Sequence, residues 1–565
     1  MNRLRFFLVC VLASASAAIA EDPPKPDLRI PIPSLFEQVQ RQWVAEDVLP
    51  EAESADHLRS RDDTIERLSL RDAVLTALEN NPGIAVERLG PLSANASVGR
   101  AYGAFDPSFT LFGKLQRDVV PTGSALAGAQ VVRTRNEDYG VTIEKLIRTG
   151  ARLSIDYASN ELEQNSTFLG LRPQYKPELT FSVTQPLLRN FGPGLTVLLV
   201  RSAEASSGAA YWDYQAKVSG LIRQVVEAYW GVVAARETLK AEEDGLRLAR
   251  NLEKENDARV RAGVLPPIAV KEAAAESAAR DERVIVATNV LSVSLERLRL
   301  LLQRNPTLSF LPRPIEPTDS PDVRPIETNE TEILEHAVGS RPELVRARYD
   351  IQNRKLVGRL QRNNLLPSLD LQASYGLNGL SGRGVPQEDF RTGETRITPF
   401  TGDYAKALDR LSSDDYNSYS AGLTLSFPLG NTVAENEFAQ SQIDLRRAEL
   451  GYRQLLADVT LQVRQTIGDV QANSKRITAT RLARELATEN LEQQKKRYDV
   501  GLATTKDILD FQEKLTTARA AETNALIDYN VSLAALRQAE GKLLAQFDVV
   551  VEDLPPSPET IWSKF

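Results

Sequence analysis

Residues 497–510, RYDVGLATTKDILD, interrupt a long helical pattern near the C-terminal end of the chain. Gly501 marks a tight reversal, because glycine adopts positive φ angles without the steric cost that a Cβ imposes. Asp507 and Asp510 follow it three residues apart, which places them one helical turn apart. Such a carboxylate pair has four interpretations: acid/base catalysis, a metal site, the start of a helix, or an electrostatic ring. The rest of the chain is needed to choose among them.

A matching turn occurs earlier in the chain, where RVRAGV (residues 259–264) pairs with RYDVGL (residues 497–502). Three further pairs of segments match in the same order along the sequence. They are residues 77–82 with 337–342, residues 105–109 with 365–369, and residues 182–187 with 424–429. Four ordered matches predict that the chain contains two copies of one long unit.

Heptad patterns lead into both turns and predict coiled-coil helices. In the first copy the seam positions are Tyr211, Val218, Val225, Val232, Leu239 and Leu246, interleaved with Tyr214, Leu221, Ala228 and Ala235. In the second copy they include Leu456, Val463, Val470 and Ile477. Helices over residues 201–262 and 433–500 would each be about 90 to 100 Å long at 1.5 Å per residue.

Between the helical segments, apolar and polar residues alternate over several short stretches, which is typical of strands with one apolar face. Examples are residues 108–116, 179–184, 369–375 and 419–429, and residues 139–143 and 153–157 extend the pattern around the turn at 148–150. Several such strands in an exported chain fit a barrel with an apolar outside and a polar lumen. One chain supplies too few strands to close a water-filled barrel, so further copies must complete it.

The N-terminal residues have the features of an export signal. Arg3 and Arg5 precede an apolar run, and residues 18–20, AIA, form a signal-peptidase site. Cys10 is the single cysteine and lies inside this signal, which excludes disulfides and thiolate sites from the mature chain. Residues 7–9 do not fit a lipobox, which disfavours lipidation of Cys10.

The composition argues against nucleic acid as a partner and against a metal or cofactor. The formal net charge is −8, and no concentrated basic stretch is present to neutralise phosphates. The two histidines, His57 and His336, are hundreds of residues apart. No histidine, cysteine or glycine-rich phosphate loop lies near Asp507 and Asp510, so the sequence offers no catalytic constellation and we expect no enzymatic activity.

Taken together, these features resemble the TolC-like outer-membrane efflux family over nearly the whole mature chain. The resemblance rests on the duplication, the Asn-Pro helix, the Phe-Asp-Pro and Leu-Pro strand starts, VTQPLL at 183–188, and the Arg-x-x-x-Gly hairpins. It implies a mainly α fold with a transmembrane β-barrel: a homotrimer whose twelve-strand barrel in outer-membrane lipid continues into a twelve-helix periplasmic tunnel. The sequence leaves open whether each chain contributes four strands or more, because residues 131–175 are also strand-like.

The family resemblance also implies roles for residues at the two tips. Asp507 and Asp510 would form stacked carboxylate rings at the closed entrance, and Tyr498 would hold it shut; the alternative is that both aspartates stabilise a helix start capped by Thr504 or Thr505. The predicted contacts with a periplasmic adaptor are Gly263, Val264, Leu265, Gly501, Leu502 and Ala503. Ala503 and Ala269 depart from the family, which often has an arginine and an aspartate there; Lys506 could substitute in the latch.

The domain organisation follows from these patterns. We expect a signal peptide at 1–20, a linker or belt at 21–67, a Pro-rich connector at 305–330 and a tail at 547–565. The repeats span 68–304, with strands at about 105–190 and a tip near 263, and 331–546, with strands at about 367–430 and a tip near 501.

The predicted function is a passive exit channel of a tripartite efflux or type I secretion system. It would lie in the outer membrane and dock to a periplasmic adaptor and an inner-membrane transporter. The alternative is a periplasmic coiled-coil adaptor or scaffold whose strands form a soluble sandwich.

Overall fold

The computed structural model of the protein describes residues 66–124, 127–302, 315–321, 329–388 and 393–551. The predicted export signal, Cys10 and His57 lie outside these residues. So do most of the predicted linker, connector and tail.

The first half of the described chain has two short helices, a run of strands and two long helices. The bounds are β1 Glu66–Leu68, α1 Leu70–Asn80, α2 Pro82–Tyr102, β2 Ser108–Pro121, β3 Val131–Leu146, β4 Arg152–Gln164, β5 Leu171–Pro186, the single turn α3 Pro193–Thr196, α4 Leu198–Arg261 and α5 Ile268–Leu302. The heptads predicted α4 to within a few residues.

The second half repeats this order with an insertion between its strands. The bounds are β6 Ile315–Pro317, α6 Glu330–Ser340, α7 Pro342–Asn364, β7 Ser368–Asn378, β8 Ser381–Gly384, β9 Gln387–Glu388, β10 Thr395–Arg396, α8 Tyr404–Ser412, β11 Asn417–Ser426, α9 Thr432–Asp499, α10 Thr505–Glu540 and α11 Leu543–Gln546. In each half, two short helices meet at a proline, Pro82 or Pro342, that occupies the first position of the second helix, where its missing N–H costs nothing.

The long strands form one antiparallel sheet in the order β11-β7-β5-β4-β3-β2. β7 and β8 pair with successive parts of β5, Glu178–Pro186 and Leu171–Tyr175 respectively. The strands around the turn at 148–150 are present as β3 and β4.

One face of this sheet carries an apolar row that crosses all six long strands. Its members, paired in register, are Phe109, Ile143, Ile155, Phe181, Tyr375 and Tyr419. The neighbouring row points to the opposite face and consists of Thr110, Thr142, Asp156, Thr180, Gly376 and Ser418. The sheet is therefore amphipathic from edge to edge.

The insertion at 379–416 contains α8, which the sequence patterns did not predict. Tyr404 of α8 makes a 2.5 Å hydroxyl–hydroxyl hydrogen bond with Tyr157 of β4. Its ring also lies 5.7 Å from the ring of Tyr175 on β5. Ala407 and Leu411 are buried where α8 packs on the sheet, so tertiary contacts rather than a long periodic pattern hold this helix.

The core of the helical region lies where α1, α4, α5 and α10 meet, and it contains Ile222, Val225 and Tyr229. The heptad residues of α9, including Val463 and Val470, form a second cluster with α10.

Residues predicted to be plain linker or tail contribute to this core. β1 pairs in parallel with β6, inside the predicted connector. Tyr229 donates to Asp319 Oδ2 at 2.7 Å and accepts from the Thr318 N–H at 3.1 Å, and burial raises the pKa of Tyr229 to about 12. Phe547, at the start of the predicted tail, is also buried. The linker, connector and tail therefore include segments that pack as part of the fold.

None of the helices in the described ranges combines the length and the apolar character required for a membrane-spanning helix.

Candidate functional site: the two hairpin tips

The two tips have the same backbone geometry. Gly263 and Gly501 adopt φ angles of +75° and +77°. At the first tip the Val264 N–H donates to the Arg259 carbonyl at 2.9 Å, and at the second the Leu502 N–H donates to the Arg497 carbonyl at 2.8 Å. These bonds, with those from each glycine N–H to the carbonyl three residues earlier, make both turns Schellman motifs.

The helix after the second tip starts with a capping box. Thr504 is the N-cap of α10, and its Oγ1 accepts from the Asp507 N–H at 3.2 Å. Asp507 Oδ2 in return accepts from the Thr504 N–H at 2.8 Å. This backbone hydrogen bond, followed by the one from the Thr504 hydroxyl, lowers the pKa of Asp507. In the single chain, Asp507 therefore has the geometry expected of a residue that stabilises a helix start.

A buried polar network joins the two hairpins just behind the tips. Tyr498 of α9 donates to Asn256 Oδ1 of α4 at 2.5 Å, and Asn256 Nδ2 donates to Thr505 Oγ1 at 3.1 Å. The same amide group reaches the carbonyl of Ala269 at 3.2 Å. Asn256 is completely buried, and Tyr498 and Thr505 are 5% and 4% exposed. Leu252, Ile508 and Leu509 surround the network with apolar contacts.

Arg259 adds a second link between the hairpins. Its guanidinium lies 4.7 Å from the centre of the Tyr498 ring and donates to Asp499 Oδ1 at 3.0 Å. It also pairs with Glu255 one turn earlier on α4. A cation therefore reaches the second tip from the first hairpin, although residue 503, where the resemblance led us to expect an arginine, is an alanine.

The remaining predicted residues lie at the outer surface of the tips. Val264 and Leu502 are 69% and 71% exposed. Leu265 and Ala503 are partly buried against the apolar cluster around Tyr498. Asp510 is exposed. The tips thus present three exposed apolar side chains in the described part of the chain, Val264, Val500 and Leu502.

Sequence reasoning missed Asn256 and gave Arg259 no role. It considered Thr505 only as an alternative helix cap, whereas Thr504 is the cap and Thr505 accepts from Asn256. A signal for Asn256 was present, because it continues the heptad position of Tyr214, Leu221 and Ala228 toward the tip. An asparagine at a seam position of a coiled coil is a recognised device for fixing register and partner. The partner itself, 242 residues away, could not be read from the periodicity.

No group of three or more potential ligating side chains in the described part of the chain could hold a metal ion. The arrangement provides two apolar turns, of which the second is followed by carboxylates. Hydrogen bonds between the hairpins join the two turns.

Comparisons with known proteins agree with this architecture. A sequence profile of the family described as "Outer membrane efflux protein" matches residues 178–303 and 333–542, one segment in each half. The outer membrane protein TolC of Vibrio cholerae is 27% identical over 332 residues, which cover 56% of this chain. That alignment spans 66% of the length of the relative.

Two solved structures share the fold at low sequence identity. The Campylobacter jejuni CmeC outer membrane channel is 15% identical with a TM-score of 0.60, covering 84% of this chain and 86% of its own. The outer membrane protein VceC of Vibrio cholerae is 17% identical with a TM-score of 0.58, covering 84% and 96%. On the strength of the two matched segments, which together span more than half of the sequence, the chain belongs to the outer membrane efflux protein family.

Proposed function

We propose that the protein is a passive outer-membrane exit channel of a tripartite efflux or secretion system. The observation that carries this proposal is the apolar face of the sheet. Phe109, Leu111 and Leu115 on β2 are 68%, 72% and 69% exposed, and Tyr419 on β11 is 81% exposed. A sheet that leaves most of one apolar face exposed needs an apolar surrounding, and a lipid bilayer supplies it.

The ring that encloses a pore would consist of three copies. Among the described residues, neither edge strand, β2 or β11, has a strand partner on its outer side. Further copies would pair with those backbone groups. The polar row with Thr110, Asp156 and Ser418 would then face the lumen.

The tips would form the periplasmic entrance. The hydrogen bonds from Tyr498 to Asn256 and from Arg259 to Asp499 join the two hairpins. They support a latch, because opening the entrance by moving one hairpin must break them. In a three-copy assembly the carboxylates of Asp507 and Asp510 would repeat around the axis and favour cations.

The exposed apolar tips would meet a periplasmic adaptor. Val264 and Leu502 are apolar, protrude beyond the helices and belong to turns rather than to packed surfaces. An inner-membrane transporter would act through that adaptor, since nothing in the tips supplies energy.

The second candidate, a soluble periplasmic scaffold, meets a specific obstacle. A soluble sandwich has to cover the apolar face of its sheet, yet Leu111, Leu423 and Leu425 remain 58% or more exposed in the chain. α8 packs on the sheet through its own Ala407 and Leu411. It leaves Leu111, Leu423 and Leu425 open.

Cell fractionation with a matched pair of variants tests the proposal. The wild-type chain should be recovered from outer membranes as a heat-modifiable trimer. Leu111→Arg, on the apolar face, should abolish this assembly at a cost of about 2–4 kcal/mol for an arginine near the bilayer midplane. Thr110→Arg, its neighbour on the polar face, should leave it intact. A soluble monomer, or equal behaviour of the two variants, would rule the channel out.

A further inference from the structure

We propose that three copies of this chain close a barrel of eighteen strands, wider than the twelve-strand barrel that the family resemblance implies. The partner at each sheet edge is a second copy of the chain, with β2 of one copy pairing antiparallel to β11 of the next. This inference rests on the proposed three-copy channel and adds to it the number of strands, the contacts that close the ring and the width of the outlet.

The first step is the number of strand positions in one chain. The sheet contains seven strands, but β7 and β8 pair with consecutive parts of β5 and occupy a single position. The chain therefore has six strand positions. The length of the strands ranges from ten residues in β11 to sixteen residues in β3 and β5. About 9 to 11 tilted residues suffice to cross a bilayer as a strand, so every position is long enough to be part of a membrane wall.

The two extra positions come from one hairpin in the first half of the chain. The second half contributes β7 and β11, which pair directly with each other from Asn417 to Ser426. In the first half, β3 and β4 are inserted between β2 and β5, where the second half has the helical insertion with α8. The hairpin is not an appendage, because β3 pairs with β2 over fourteen residue pairs, from Ser108–Glu144 to Pro121–Val131.

The direction of the strands permits closure between copies. All neighbours in the sheet are antiparallel, so with six positions the two edge strands run in opposite directions. A head-to-tail ring therefore keeps every pairing antiparallel, including the contacts between copies. An odd number of positions would force one parallel pairing at each contact.

The side chains on the edges agree with this partner. Phe109 and Tyr419 end the apolar row on opposite edges of the sheet, and they are 68% and 81% exposed. Placing β2 beside β11 of another copy continues the apolar row from one chain to the next on the same face, with the polar row on the other. Every residue of both edge strands is exposed in the single chain. Pairing with another copy would satisfy the free backbone groups of these strands.

The consequence is a wider outlet. Barrel diameter grows roughly in proportion to strand number, so eighteen strands give a barrel about one and a half times as wide as twelve, in the range where natural barrels hold an aqueous channel. The outer-membrane part of the duct would then not limit the size of the cargo, and the constriction would lie at the tips.

Single-particle imaging of the full-length protein in lipid nanodiscs provides the test. The expected result is three copies and eighteen strands in the membrane ring, with β2 and β11 of different copies in contact. Three copies with twelve strands, and the β3–β4 hairpin folded away from the wall, would overturn this inference and leave the proposed channel standing. A chain that forms no ring in lipid would overturn the channel proposal itself.

Cysteine cross-linking checks the edge contact independently, because Cys10 is the only cysteine and lies in the predicted export signal. Thr110→Cys, Lys114→Cys and Asp118→Cys scan β2, each combined with Ser420→Cys on β11. At least one pair should cross-link the trimer on oxidation. Ser154→Cys with Ser420→Cys is the matched control and should not, because β3 and β5 flank β4. An assembled trimer in which no β2 position cross-links would refute the edge pairing.

Deletion of residues 131–164 gives a complementary variant. Removing two strands keeps β2 and β5 antiparallel, so this chain should form a twelve-strand ring by the same imaging. A deletion variant that still shows the wild-type strand count would contradict the assignment of β3 and β4 to the wall. If the deletion variant does not assemble, the strand count of the wild-type ring decides between eighteen and twelve strands.

Discussion

At the first tip Gly263 is followed by Val264, Leu265 and two prolines, and at the second Gly501 is followed by Leu502, Ala503 and two threonines. The backbone hydrogen bonds of the two turns are the same, but only the second has a capping box and an acidic first turn. The duplication therefore preserved the reversal, which glycine determines, while the residues around it diverged. We infer that the geometry of the tips is shared and that the second tip carries the charge and the latch.

The largest effect is expected from breaking the hydrogen bonds that join the two hairpins behind the tips. Asn256→Ala removes the acceptor of Tyr498 and the donor to Thr505 inside a buried site, which should cost about 1–3 kcal/mol. Hydrogen exchange of the backbone amides in residues 494–510 should accelerate in the assembled protein. Asn353→Ala, which removes a partner of Ser202 and Ser206 far from the tips, serves as the control and should leave these amides unchanged.

The two glycines test whether the reversal is equivalent in both copies. A Cβ at Gly263 or Gly501 would meet no atom within 4 Å, so only the positive φ is penalised, at about 1–2 kcal/mol for each alanine variant. Gly263→Ala and Gly501→Ala should lower the free energy of opening their hairpins by similar amounts, measured by limited proteolysis at the tips. A large difference between them would show that the turns are not equivalent.

The capping box should make only the second tip sensitive to acid. The hydrogen bonds from Thr504 lower the pKa of Asp507 in the folded chain, so their stabilisation is present above the ordinary aspartate pKa of about 3.9 and is lost as the pH falls through the folded-state value. Amides 504–508 should lose protection in acid, after correction for intrinsic exchange rates, while amides 268–270 of the first tip should not. Thr504→Ala should remove the difference and cost about 1 kcal/mol at neutral pH.

The smallest effect on stability is expected for Asp510→Asn, which separates the effect of charge on ion selectivity from its effect on the fold. Asp510 is exposed and takes no part in the cap, so Asp510→Asn should change stability by less than about 0.5 kcal/mol. It should nevertheless reduce cation preference in bilayer recordings, and Asp507→Asn should reduce both preference and stability. If neither variant alters ion selectivity, the aspartates act at the helix start alone.

Much of this fold was predictable because its signals are long and periodic. Heptads at Val218, Val225 and Val232 predicted α4, and alternation around the 148–150 turn predicted β3 and β4. The short elements could not be predicted, since β1 has three residues and α8 depends on the burial of Ala407 and Leu411. At the site, the glycines indicated the turns and Thr504 was a candidate for the helix cap. The contact between Tyr498 and Asn256 could not be predicted, because it depends on how two hairpins that are distant in sequence pack together.

The central claim is that the protein is a channel closed where Tyr498 and Arg259 fasten the second hairpin to the first. Single-channel conductance in planar lipid bilayers tests it most directly, comparing the wild-type oligomer with Asn256→Ala. The account predicts cation-preferring pores from both proteins, with a larger conductance for the variant because its entrance is less tightly held. The absence of pores from the wild-type oligomer, or the same conductance from both proteins, would contradict it.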